Sequence, residues 1–290
     1  MVAFPTETVY GLGANALDER AVERIFAAKG RPATSPLIVH CASIEIARGL
    51  AKVWSAEAER LATHFWPGPL TLVVPKQDVI PSRVTAGLPT VGLRVPRHPV
   101  ALALLEAAGV PIAAPSANPF MGLSPTQLAH VLPSLADLIL EGGPSDVGIE
   151  STVVSLVGAP TLLRPGMIPL AELEQVLGCP LARPLASAVP TEVGAHASPG
   201  LHPQHYSPVT PLSLSQIPAT GRGVWLRISQ DRLASEQVQM PTEPAYYAQR
   251  LYEVLHRLDH QGWDWIAVES PPASADWDGI RDRLERAQHN

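Results

Sequence analysis

Two cations set close together are the first residues whose types suggest chemistry. In AAKGRPATSPLIVH, Lys29 and Arg31 flank Gly30 in a turn that follows a helical pattern and precedes an apolar run. A planar guanidinium and a point-charge ammonium on a tight loop beside a sheet edge suit a polyphosphate. Basic residues also collect at helix carboxyl ends, where they meet the dipole and the unpaired carbonyls, so this segment alone leaves the two readings level. Arg94 is a different case. VGLRVP sets it between Leu93 and Val95 in an apolar strand, where an unpaired charge is expensive, so it needs a carboxylate or phosphate from the protein or from a ligand. His40 closes the run PLIVH, a place where a lone histidine is more often a satisfied structural group than a catalytic one.

Polar small residues form a second set. APSANPFMGLSPT carries Ser116, Asn118 and Ser124, a loop through which backbone amides and hydroxyls can approach an anion. Plain turn chemistry explains the same residues, and Ser124 has a capping role open to it. STVVSL places Ser151 and Thr152 just ahead of an apolar strand, and LLRPG carries Arg164 into a proline–glycine turn, where a single arginine is usually solvated. His202 and His205 have no cysteine or carboxylate cluster beside them, which argues against zinc. The chain has no nucleophile elbow, Walker A loop or kinase signature. FPTETVYGLG, from Phe4, packs apolar residues, two threonines, a glutamate and two glycines into ten positions, more chemistry than a strand needs.

These residues must be positioned by elements, and the elements read as α/β. Strand candidates are PLIVH (36–40), LTLVVP (70–75), VGLRVP (91–96), PIAAPSAN (111–118), LIL (138–140) and STVVSL (151–156). Asp18 caps a helix that puts Val22, Ile25 and Phe26 on one face and stops at Gly30. Pro99 and Gly109 bound another, Ser124 to Gln127 has capping-box spacing for a third, and LAELEQVLG ends at Gly178. Residues 181–210 shift to Pro, Ala, Ser and His and read as a linker. Beyond it, GVWLRIS (223–229), a helix near 244–261, WIAVES (265–270) and a helix from about Asp278 make a second, smaller α/β unit without a glycine-rich phosphate fingerprint. The expected domains are therefore 1–180 and 211–290, joined by 181–210.

Composition narrows the classes. The chain has 290 residues, 46% hydrophobic, with 21 Lys+Arg against 27 Asp+Glu and a net charge of -6. An acidic total argues against wholesale wrapping of nucleic acid. Cys41 and Cys179 stand far apart, which excludes a disulfide framework or zinc ribbon and points to the cytoplasm. No apolar run spans a bilayer, and the first residues lack a signal-peptide layout. The 31 prolines, about twice the usual share, punctuate the chain without repeating.

Taken in order, FPTETVYGLG, KGRP, SPLIVH, FWPGPLTLVV, VGLRVP, APSAN, SPT, STVV and RPG closely resemble the Sua5/YrdC family of threonylcarbamoyl-AMP synthases, across about residues 2–178. SPGLHPQHYSP and the small unit after it resemble the Sua5 branch. The resemblance implies a YrdC-like open twisted sheet with a concave, positively lined cavity, and a Rossmann-like C-terminal domain. It implies condensation of L-threonine, bicarbonate and ATP, with Mg²⁺, into threonylcarbamoyl adenylate and pyrophosphate. A downstream transferase complex then moves the threonylcarbamoyl group to adenosine 37 of tRNA. Neither a membrane nor stable duplex binding is expected.

Carried onto this sequence, the resemblance puts Arg94 on the threonine carboxylate, with Thr8, His40, the Ala114 backbone and Ser151 around the same amino acid. It assigns Lys29, Arg31, Ser35, Thr90, Ser116, Asn118, Ser124 and Arg164 to ATP, with Lys29 and Arg31 also catalytic. Tyr206 folds back over the nucleotide and makes the linker a lid, while Gly11 and Gly13 let the backbone pass the ligand. No dedicated metal ligands and no general base are identified. In the family a helix and the start of a strand precede FPTET, and relatives often have asparagine where this chain has Ser35. The alternative is a non-catalytic RNA-binding module of the same fold, which would show salt-sensitive RNA affinity without ATP. A carbamoyl-adenylate enzyme of hydrogenase maturation is disfavoured, because those chains are much larger and carry zinc-finger-like cysteines.

Overall fold

The computed structural model describes residues 1–183 and 205–288. The part of the expected linker at 184–204, including His202, lies outside them. The elements before it are β1 (Val2–Phe4), β2 (Gly11–Asn15), α1 (Glu19–Lys29), β3 (Ile38–His40), α2 (Ile44–Leu50), α3 (Ala56–Phe65), β4 (Leu70–Pro75), β5 (Thr90–Arg94), α4 (Pro99–Ala108), β6 (Ile112–Ala113), β7 (Leu138–Ile139), β8 (Thr152–Ser155), β9 (Thr161–Arg164) and α5 (Leu170–Leu177). After it come β10 (Leu212–Leu214), β11 (Gly223–Arg227), β12 (Glu236–Gln239), α6 (Pro244–Asp259), β13 (Trp265–Val268) and α7 (Asp278–Ala287).

Helix ends follow their local chemistry. The Asp18 side chain accepts from the amides of Arg20 and Ala21, and Gly30, at φ 64°, takes the left-handed turn that stops α1. Between those ends Val22, Ile25 and Phe26 are buried, each contributing about 1.5–3 kcal/mol. Pro99 opens α4 and Gly109 closes it, as expected. Ser124 does not start an α-helix: only a 3-10 turn at Leu128–His130 follows, because the Ser124 hydroxyl donates to Glu150 instead of capping. The amides that a cap would satisfy find other partners, as Thr126 N does with His130 Nδ1 at 3.3 Å.

Among the described residues the first sheet has nine strands in the order β7-β1-β2-β6-β3-β5-β4-β8-β9, with mixed directions. Two of its pairings build the site. β3 lies parallel to β5 with His40 opposite Arg94. β3 also runs antiparallel to β6 with His40 opposite Ile112. α1, α2, α3 and α5 bury their apolar faces in one cluster with the strands, including Leu12, Val39, Leu72 and Leu93.

The second sheet is wholly parallel, in the order β10-β13-β11-β12. At the carboxyl ends of β11 and β13, the Glu269 carboxylate gathers the amides of Ile228, Ser229 and Gln230 at 2.6, 2.9 and 2.9 Å. α6 buries Leu251, Val254, Leu255 and Leu258 against this sheet. The same apolar cluster takes in Val9, Leu123 and Ile149 from the first unit, so the two units share a core.

Candidate functional site

A cavity with about 560 Å³ of space, open solvent at its mouth included, opens where the ends of several strands of the first sheet meet. Thr8, on the loop between β1 and β2, His40 at the end of β3, Arg94 at the end of β5, Ala114 just after β6 and Ser151 just before β8 all line it. The sheet therefore brings together all five residues expected around one amino acid. Gly11 lines the same wall, whereas Gly13 does not: a Cβ there would meet Ile112 at 2.7 Å and Phe4 at 2.8 Å, so Gly13 serves sheet packing.

Arg94 finds its carboxylate within the protein. Glu7 Oε1 stands 2.7 Å from Nη2, with both side chains buried, yet the approach is off line and leaves both atoms without a hydrogen bond. Nη1 donates to Thr8 Oγ1 at 2.9 Å and Nε to the Gly68 carbonyl at 3.3 Å. Burial, and then the Arg94 charge beside it, push the His40 imidazole down to about 3, so it is neutral at ordinary pH, and its Nδ1 has no partner. Ser151 Oγ shares a hydrogen bond with Thr71 at 2.8 Å.

The cations expected for phosphate divide. Arg31 and Arg164 line the cavity, as do Ser116 and Tyr206. Burial above all pushes Arg31 down to about 10, which leaves it charged, and its Nη2 donates to the Pro36 carbonyl at 3.1 Å. Arg164 is no solvated turn residue: it ends β9, is 2% exposed, and places Nε and Nη2 on the Ser151 carbonyl at 3.1 and 2.9 Å. Lys29, Ser35, Thr90, Asn118 and Ser124 lie outside the lining. The Lys29 ammonium donates to the Ser116 and Asn118 carbonyls and so ties the small-residue loop to α1. Burial, aided by Arg31, lowers its pKa well below the usual lysine value. Asn118 Nδ2 holds the Pro119 and Gly122 carbonyls at 2.9 and 2.8 Å, while its Oδ1 is unpartnered. Ser35 is buried in the loop after α1, and Thr90 opens β5 opposite Pro75.

Tyr206, at φ 63°, is 1% exposed and closes one side of the cavity, its hydroxyl without a partner among the described residues. That backbone conformation costs about 1–3 kcal/mol in a bulky residue. It is held by the Ser207 amide on the Met121 carbonyl at 3.0 Å, and the ring lies against His205, centroids 4.1 Å apart.

Thr6 and Glu150 also line the cavity, with Glu7 behind it, and none of the three stands out in the sequence; His205, weighed there only as a metal ligand, lines it too. Glu7 and Glu150 each adjoin a residue already singled out, Thr8 and Ser151, and a carboxylate beside buried cations was the signal available. With His40 neutral and Arg94 balanced by Glu7 behind it, the lining still sets Arg31 and Arg164 against the single carboxylate of Glu150 and favours anionic ligands.

Residues 1–166 match the Sua5–YciO–YrdC family, described as "Telomere recombination", and residues 168–288 match the threonylcarbamoyl-AMP synthase C-terminal domain. The chain is 41% identical to the threonylcarbamoyl-AMP synthase of Pyrococcus abyssi, over 99% of this chain and 90% of the relative. It is 39% identical to that of Bacillus subtilis, over 99% and 89%. The crystal structure of P. abyssi Sua5 complexed with L-threonine superposes with a TM-score of 0.90 at 41% identity, covering 99% of this chain and 89% of that one. Escherichia coli YciO superposes with a TM-score of 0.51 at 28% identity, covering 59% of this chain and 85% of that one.

Proposed function

The chain belongs to the Sua5–YciO–YrdC family, and we propose from that premise that it is a threonylcarbamoyl-AMP synthase. The observation that carries the reading is that one cavity is lined by the five residues expected around threonine together with Arg31, Ser116, Arg164 and Tyr206 of the larger set expected around ATP. The likeness over nearly the whole chain to a structure holding L-threonine supports this reading over an RNA-binding module.

In the proposed reaction, an adenylyl transfer, the amine of threonine takes up bicarbonate to give a carbamate and water. A carbamate oxygen then attacks the α-phosphorus of ATP, and the α–β bridging oxygen leaves with pyrophosphate. Such chemistry needs alignment and charge neutralisation more than covalent help. Arg94 and Thr8 hold the amino acid, and Arg31 and Arg164 face the phosphates. Mg²⁺ enters as part of the nucleotide substrate, through phosphate oxygens and water. Lys29 acts by holding the Ser116–Asn118 loop in place, and the Ser35 carbonyl accepts from Arg31 Nε at 3.4 Å.

Residues 1–180 form the catalytic domain, 181–210 the connection that brings Tyr206 over the nucleotide, and 211–290 the C-terminal domain. The product passes to a transferase complex that modifies adenosine 37 of tRNA, in the cytoplasm. No helix among the described residues is long and apolar enough to cross a membrane. The test is pyrophosphate and AMP release from ATP, with L-threonine or bicarbonate omitted in turn. Release that depends on both is expected, and release independent of either would sink the reading.

A further inference from the structure

The cavity that is to take a triphosphate has a carboxylate in its wall. Glu150 lines it and is 8% exposed. Burial opposes its ionisation, but Arg283 and Arg164 beside it outweigh that and hold its carboxyl below the ordinary value. An uncompensated anion at this point would repel phosphate.

Its compensation comes from the second unit. Arg283, on α7, has a fully buried side chain, with Nε 2.7 Å from Glu150 Oε2. Nη2 donates to the Glu150 carbonyl at 3.1 Å and Nη1 to the Pro165 carbonyl at 2.9 Å. Asp282 Oδ2 also accepts from Nη1, at 2.7 Å. Tyr252, on α6, donates to the same Oε2 at 3.3 Å, and Ser124 covers the other oxygen. Glu150 precedes Ser151 and Pro165 follows Arg164, so one guanidinium clamps both chain segments that carry those cavity groups. Its Cζ also lies 5.3 Å from the Tyr206 ring centre. Only arginine's fork of five donors can make these contacts together.

We infer that Arg283 is a positioning residue for the nucleotide end of the cavity: it cancels the charge of Glu150 and fixes the backbones beside Ser151 and Arg164, without touching substrate. The inference rests on the reading that the cavity binds ATP. It gives the second unit a chemical task in a site otherwise built by the first.

Calorimetric titration of the full chain with a non-hydrolysable ATP analogue and Mg²⁺, and separately with L-threonine, tests it on Arg283→Met, Glu150→Gln and the double variant. Arg283→Met should lose nucleotide affinity about tenfold or more, while threonine affinity, which it reaches only through the backbone beside Ser151, falls less. Glu150→Gln should bind nucleotide at least as well as the parent chain, and the double variant should recover most of the loss. If Arg283→Met does not fold, the Glu150→Gln arm still decides. Unchanged nucleotide affinity in Arg283→Met, equal loss of both ligands, a double variant no better than Arg283→Met, or weakened nucleotide binding in Glu150→Gln would each overturn the inference. A parent chain that binds threonine but no nucleotide would overturn the ATP reading itself, and the inference with it.

Discussion

Arg94 carries two obligations at once, because the guanidinium that is to meet a substrate carboxylate also neutralises buried Glu7. Arg94→Gln should therefore weaken threonine binding about ten- to hundredfold, the loss of one charge-assisted contact. It should also cost about 3–5 kcal/mol of stability, since Glu7 is left unpaired; calorimetry and urea unfolding read the two effects separately. An unchanged threonine affinity would remove Arg94 from its assigned role. His40 supplies a pH test. Its pKa is lowered to about 3 in the fold, against about 6.5 unfolded, so between those values the unfolded chain holds a proton that the folded chain does not. Stability must then fall as pH drops through that window. The urea midpoint should decline from pH 6.5 downward, and His40→Asn should flatten the decline; a variant with the same slope would place the acid sensitivity elsewhere. The need for a partner at Arg94 was legible from its apolar neighbours, but its identity was not. Glu7 is 87 positions away in sequence, and only the loop between β1 and β2 brings it near.

Elements with strong local signals were readable. Asp18 and Gly30, Pro99 and Gly109, and Gly178 mark helix ends that the structure keeps. β12 lacked such signals, being the polar run Glu236–Gln239 at a sheet edge, and α2, capped by Ser43, is only seven residues long. α3 was passed over despite its Ser55 cap. The SPT segment misled because a capping pattern near 124 met a long-range partner, Glu150, that no local rule contains. How α7 docks could not be read from periodicity. A Cβ on Gly279 would lie 2.4 Å from the Gly166 carbonyl oxygen, beside the turn that follows Arg164. Gly279→Ala should gain about 1 kcal/mol in helix propensity, yet the clash is with backbone and has nowhere to go. The net should be a loss of about 1–3 kcal/mol, with ATP affinity falling as α7 lifts. A denaturation midpoint above that of the parent chain would show that the contact yields freely.

Over the whole molecule the shared core decides how the units behave. Val9, Leu123 and Ile149 lie in one apolar cluster with α6 and α7, and Arg283 bridges the same boundary. Differential scanning calorimetry should therefore give a single transition. ATP at a hundred times its Kd should raise stability by about 2.7 kcal/mol and move the transition as one; two separable transitions would refute the coupling. The α/β class and the existence of a second unit were legible from alternating patterns and the Pro-rich break, whereas the burial of Tyr206 between the units was not, because nothing in HYSP marks it as core. The closed amide loop of Ile228, Ser229 and Gln230 bears on stoichiometry. Parallel sheets present their ligand sites at the carboxyl ends of their strands, and there Glu269 already occupies the donors with a tethered anion. A nucleotide titration should accordingly saturate at one equivalent per chain.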